Sequence, residues 1–117
     1  MPRKNPTQTT VDLSLDGETY TLFFDLDAIA AAEDETGIAL ISGLRKKDVD
    51  APRLSMVRTL FWACLQPYQP KITLPQASAM VNQWNWRDIW EKVLETWVAG
   101  MKKPDPNAPA DPQTGQS

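Results

Sequence analysis

The strongest constraint on the fold lies near the start of the chain. Val11, Leu13 and Leu15 alternate with Thr10, Asp12 and Ser14; Asp16-Gly17 intervenes; then Tyr20, Leu22 and Phe24 alternate with Thr19, Thr21 and Phe23. Asp-Gly suits the positive φ angles of a two-residue turn, and a period of two gathers the apolar side chains onto one face, so a β-hairpin is predicted. An isolated hairpin is marginal in water, and its apolar face has to be covered by something else. The rest of the chain offers helices.

"FDLDAIAAAEDETG" predicts a short helix, capped by Asp25 or Asp27 and stopped by Gly37, with Leu26, Ile29 and Ala30 as its apolar face. "IALISGL" reads as a further helical turn or two ending near Gly43, and "RKKDVD" as a charged loop. Ala51-Pro52 opens a third helix reaching about Gln66, with Leu54, Val57, Phe61 and Leu65 on one face. Met56, Leu60 and Trp62 point elsewhere, and a helix apolar nearly all round is either central to the domain or touches a partner. Thr73 and Gln76 have capping-box spacing for a short helix to about Gln83. Asn85 is then placed to cap a last helix over residues 86–101, followed by Lys102 and Lys103 at the negative end of its dipole.

The expected architecture is therefore α+β and mainly α, an N-terminal hairpin on a compact body of about five short helices. Both ends are polar and proline-bearing and cannot bury enough apolar surface to offset ordering. We read residues 1–9 as a disordered arm, 10–101 as one domain and 102–117 as a disordered Pro-rich tail.

Composition narrows the function. The 117 residues contain no histidine and one cysteine, Cys64, which removes the usual general base, the commonest metal ligand and any disulfide framework. Cys64, inside "LFWACL", reads as a small buried hydrophobe. A net charge of −3 argues against binding a phosphate backbone, so no nucleic-acid partner is expected. No apolar run approaches the roughly 20 residues of a membrane span, and "MPRKNPTQTT" lacks the apolar core of a secretory signal, which places the chain in the cytoplasm. Asp25, Asp27, Glu33, Asp34 and Glu35 are better explained as helix caps and a solvated face than as a metal site or acid–base pair. Glu33 stands apart, near Leu26 and Ala30 on the wheel, where it either pairs with an arginine such as Arg58 or marks the edge of the buried face. No enzyme activity, cofactor or metal site is expected.

The remaining signal is aromatic. Trp86, Trp90, Val93, Trp97 and Met101 recur at helical spacing on one stripe, with Ile89 and Leu94 flanking it and Asp88, Glu91, Lys92 and Glu95 opposite. Asp88 and Lys92 stand in the favourable acid-first order. That stripe is sufficiently explained as core packed on the hairpin. Tryptophan is also enriched at interface hot spots, and these residues carry more large apolar groups than one small core easily hides. The expected core is Leu22, Phe24, Leu26, Phe61, Leu65, Trp90, Val93 and Trp97; Trp62, Trp84, Met56 and Leu60 are the candidates for a partner-binding surface.

The order of "LDGETYTLFFDLDAIAAAEDETG", "VRTLFWACL" and "ITLPQASAMV" before a last amphipathic helix resembles the tail assembly chaperones of long-tailed bacteriophages and gene transfer agents, over about Val11 to Met101. This chain departs from the pattern in its tryptophan load. The resemblance implies a protein of the host bacterial cytoplasm, absent from the mature virion, that binds the long helical tape measure protein and keeps it soluble during tail tube assembly. Tail tube subunits, a longer frameshifted product of the same reading frame and further copies of the chain in a homo-oligomer are the other partners it implies. Consecutive lysines at 102 and 103 are a place where such a frameshift can occur. The alternative is a minor tail or head-tail connector component retained in the virion.

Overall fold

The computed structural model describes residues 9–101; the predicted arm before them, the tail after Met101 and the expected role of Lys102 and Lys103 lie outside the described residues. The architecture is α+β and mainly α: β1 (Val11–Leu15), β2 (Glu18–Leu22), α1 (Leu26–Thr36), α2 (Lys46–Asp50), α3 (Leu54–Leu65), α4 (Leu74–Met80) and α5 (Trp86–Met101).

β1 and β2 pair antiparallel from Val11 opposite Leu22 to Leu15 opposite Glu18. Asp16 and Gly17 take φ of 51° and 82°, the positive values a tight primed turn requires, which aspartate and glycine tolerate best. Val11, Leu13, Leu22 and Phe24 are buried, so the period-two reading gave the correct inward face. Among the described residues no third strand pairs with the outer edge of β2. Instead, the Thr21 amide donates to Gln69 Oε1 at 2.8 Å, Gln69 Nε2 donates to the Thr21 carbonyl at 2.9 Å, and the Phe23 amide donates to the Cys64 carbonyl at 2.9 Å. The end of α3 and the turn after it thus supply the hydrogen bonds that an additional strand would make.

α3 is the central element, packing against α1, α4, α5 and β2. Its buried residues are Met56, Val57, Thr59, Leu60, Phe61, Ala63, Cys64 and Leu65. α5 lays Ile89, Trp90, Val93, Thr96 and Trp97 into the same core, with Trp97 meeting Phe24 edge to face at 5.2 Å between centroids. Cys64 is fully enclosed; its thiol donates to the Phe61 carbonyl at 3.2 Å, and burial pushes its pKa far up, as expected of a structural cysteine.

Several local expectations need correction. Leu26, expected in the core, is 70% exposed, because the buried face of α1 is Ala28, Ile29 and Ala32, and the first helical position after the Asp25 cap turns away from it. Ala30 is exposed for the same reason. The alanine face lets α1 lie close against α3. "IALISGL" forms no helix; Glu33 organises it, accepting the amides of Leu40 and Ile41 at 2.7 and 3.0 Å, and so Glu33 does not pair with Arg58.

"RKKDVD", expected as a loop, contains the single-turn α2, held by Arg45–Asp48 and Lys46–Asp50 ion pairs at 2.8 and 2.7 Å. Both pairs are at least partly exposed and modest in worth; the further restraint is the Trp90 indole, which donates to the Val49 carbonyl at 3.0 Å. α3 begins at Leu54 rather than at Pro52, and α4 stops at Met80, short of Gln83. Lys92 sits 3.5 Å from Glu95 and not with Asp88.

Candidate functional site

The segment between α4 and α5 is built by two asparagines. Asn82 Oδ1 accepts the amides of Trp84 and Asn85, both at 2.8 Å, while Asn85 Oδ1 accepts the Asn82 amide at 2.8 Å and its Nδ2 donates to the Met80 carbonyl at 2.9 Å. This reciprocal arrangement has the logic of a capping box, with Asn82 as the capping residue, and the Trp86 amide bonds to the Asn82 carbonyl at 3.1 Å. Asn85 stands at the predicted position before α5, its carbonyl accepting the Ile89 amide at 3.0 Å, but its side chain turns back to Asn82 instead of forward to the helix.

The consequence is a tryptophan held outward on a hydrogen-bonded turn. Trp84 is 80% exposed, the most exposed of the large apolar side chains, whereas Trp90 and Trp97 are buried and Trp86 is half-buried. An exposed aromatic whose backbone is already fixed loses little further freedom when it meets a partner.

Beside this turn lies a groove of about 450 Å³, within the size of ordinary ligand pockets. One wall is the start of α3, with Leu54, Val57 and Arg58; the other is Val81, Asn82, Gln83 and Trp86. Leu54 is 48% exposed. On α3 the residues that are not buried are Leu54, Ser55, Arg58 and Trp62, and three of these recur at i, i+4 and i+8 along one line. Of the four predicted contact residues, then, Trp84 is open and Trp62 half-buried. Met56 and Leu60 are 5% and 0% exposed and belong to the core, because α3 is central and its neighbours cover the faces that carry them. Leu54 and Arg58 are the groove residues that sequence reasoning did not select.

Arg58 Nε is buried without a hydrogen-bond partner. The ion pairs among the described residues are Arg45–Asp48, Lys46–Asp50 and Lys92–Glu95, and none reaches Arg58. Arg87, on the first turn of α5, lies over the Trp86 ring with its guanidinium carbon 4.6 Å from the centroid, a cation–π contact that keeps the ring in place. Among the described residues no acidic side chain lines the groove, and Arg58 gives it a positive charge.

Among the described residues no group of three or more His, Cys, Asp or Glu side chains is placed to hold a metal ion, and no helix is long and apolar enough to cross a membrane. Comparison with models of protein families, with curated proteins and with solved structures finds no match to this chain.

Proposed function

We propose that this chain is a tail assembly chaperone of a long-tailed bacteriophage or gene transfer agent, binding the tape measure protein in the bacterial cytoplasm and keeping it soluble until tube subunits enclose it. The observation that carries this reading is Trp84, which stands 80% exposed on a rigid turn next to an apolar groove with a half-exposed leucine. A single exposed apolar residue is ordinary, but one set beside an apolar groove enlarges a contiguous surface of the kind that marks binding sites. The apolar face of a client helix fits such a surface, and many copies along one elongated client turn weak contacts into durable coating. The chemistry is reversible hydrophobic burial and uses no cofactor.

The test is co-expression with the long helical protein encoded beside it. The client is expected in the soluble fraction and to co-purify with the wild-type chain, and to precipitate with a Trp84→Ala, Leu54→Ser variant whose melting temperature is unchanged. Equal solubilisation by that variant rejects this surface. Recovery of the chain from purified virions would instead identify a structural component of the tail.

A further inference from the structure

Among the described residues the groove's only formal charge is the Arg58 guanidinium, whose Nε is buried and lacks a partner, set among Leu54, Val57, Val81 and Trp86 with Asn82 and Gln83 beside them. Buried donors normally find acceptors, and a half-exposed arginine that lines a largely apolar groove with its Nε unpaired is an exception that asks for a reason. The domain's own acids do not provide it: Glu33 is occupied by the amides of Leu40 and Ile41, and Asp48, Asp50 and Glu95 pair with other cations. A second positive charge, Arg87, lies over the ring of the groove residue Trp86. An apolar slot with a waiting guanidinium is complementary to an apolar segment that brings a carboxylate.

We infer that the groove docks an amphipathic helix of the partner protein whose apolar face carries one aspartate or glutamate, the carboxylate seating on Arg58 and the flanking apolar residues on Leu54, Trp86 and Trp62. This rests on the reading that the groove is the client surface and adds the client's chemistry. A helix is the fitting occupant because Leu54, Arg58 and Trp62 form a row about 12 Å long, two turns, against which the i, i+3, i+4 and i+7 residues of a second helix interdigitate. Hydrophobic contact supplies attraction to many helices, whereas the guanidinium selects among them: a partner with glutamine or lysine at the central position leaves Arg58 unsatisfied or opposes it.

The experiment uses the full chain and three labelled peptides of about 18 residues, five helical turns, with an identical leucine and alanine face and Glu, Gln or Lys at its centre. Binding is followed by fluorescence anisotropy. The Glu peptide is expected to bind at least ~10-fold more tightly than the Gln peptide, equivalent to ~1.4 kcal/mol, and the Lys peptide to bind weakest. Arg58→Gln should abolish the Glu preference while the Gln peptide binds as before; Arg58→Lys, which keeps the charge but not the fork, should retain part of it.

Equal binding of Glu and Gln peptides to the wild-type chain, or a preference that survives Arg58→Gln, overturns the carboxylate assignment while leaving the client surface standing. If no peptide binds although co-expression still solubilises the client, the groove is not the docking site. Should Arg58→Gln fail to fold by circular dichroism, the wild-type comparison and Arg58→Lys decide the matter.

Discussion

Replacing Gln69 by alanine tests whether a side chain really substitutes for a sheet neighbour. In the native protein its amide group takes the Thr21 N–H at 2.8 Å and gives to the Thr21 carbonyl at 2.9 Å, with a second donation to the Leu65 carbonyl at 2.9 Å. The Leu65 carbonyl keeps backbone partners in the variant, since the Gln69 amide reaches it at 2.7 Å, so only the two Thr21 bonds count in full. At about 0.5–1.5 kcal/mol each, their loss costs roughly 1–3 kcal/mol. For a domain of this size that corresponds to a fall in melting temperature of about 4–8 °C per kcal/mol, hence on the order of 10 °C.

Thermal and urea unfolding followed by circular dichroism give the measurement, with an unchanged urea slope showing that the native and unfolded states are otherwise the same. Hydrogen exchange should place the weakening at the Thr21 amide and its neighbours. Gln69→Glu is the control, because a carboxylate accepts from the Thr21 amide but repels the Thr21 carbonyl, so it should be at least as unstable as alanine above the carboxylate pKa range. A melting temperature within about 2 °C of wild type for Gln69→Ala, or full stability of Gln69→Glu at neutral pH, would refute the account.

Other substitutions separate core from surface. Leu60→Ala should cost about 2–5 kcal/mol by leaving a cavity in the middle of α3, seen in urea unfolding, whereas Trp84→Ala should leave stability within about 0.5 kcal/mol and affect only client solubility. Glu33→Gln, which weakens the acceptor for the Leu40 and Ile41 amides, should lower stability by about 1 kcal/mol and speed proteolysis in residues 37–44. Cys64, with its thiol pKa raised by complete burial, should resist alkylation at neutral pH and react at the rate of global opening, so that the rate rises with sub-denaturing urea.

What could be read in advance was what is local and periodic. Asp16-Gly17 and the alternation around it determine a hairpin within its own residues, the Thr73–Gln76 box forms as its spacing predicts, and α5 begins and ends where its stripe does. Several of the misreadings share a cause, which is that the deciding partner is distant or comes from the other side of a helix. α2 is restrained by an indole from Trp90, forty-one residues away. Leu26 was placed inward because the wheel for α1 was centred on the larger side chains, while packing on α3 selected the alanines. A single-sided wheel puts Met56 and Leu60 outward, but α3 has neighbours on nearly every side. Of the candidate site, Trp84 is legible in the sequence as the tryptophan off the stripe; nothing local marks Arg58, and the groove exists only once α3 and the 82–85 turn are brought together.

The crowding of α3 has an evolutionary consequence. Most of its positions are locked by neighbours, so that change there is filtered first by folding, and the positions left least enclosed are Leu54, Ser55, Arg58 and Trp62. Mutational drift in a lineage of such proteins would then be funnelled into a strip two turns long. Recognition could diversify along that strip, one side chain at a time, while the hairpin and its helical support stay as they are.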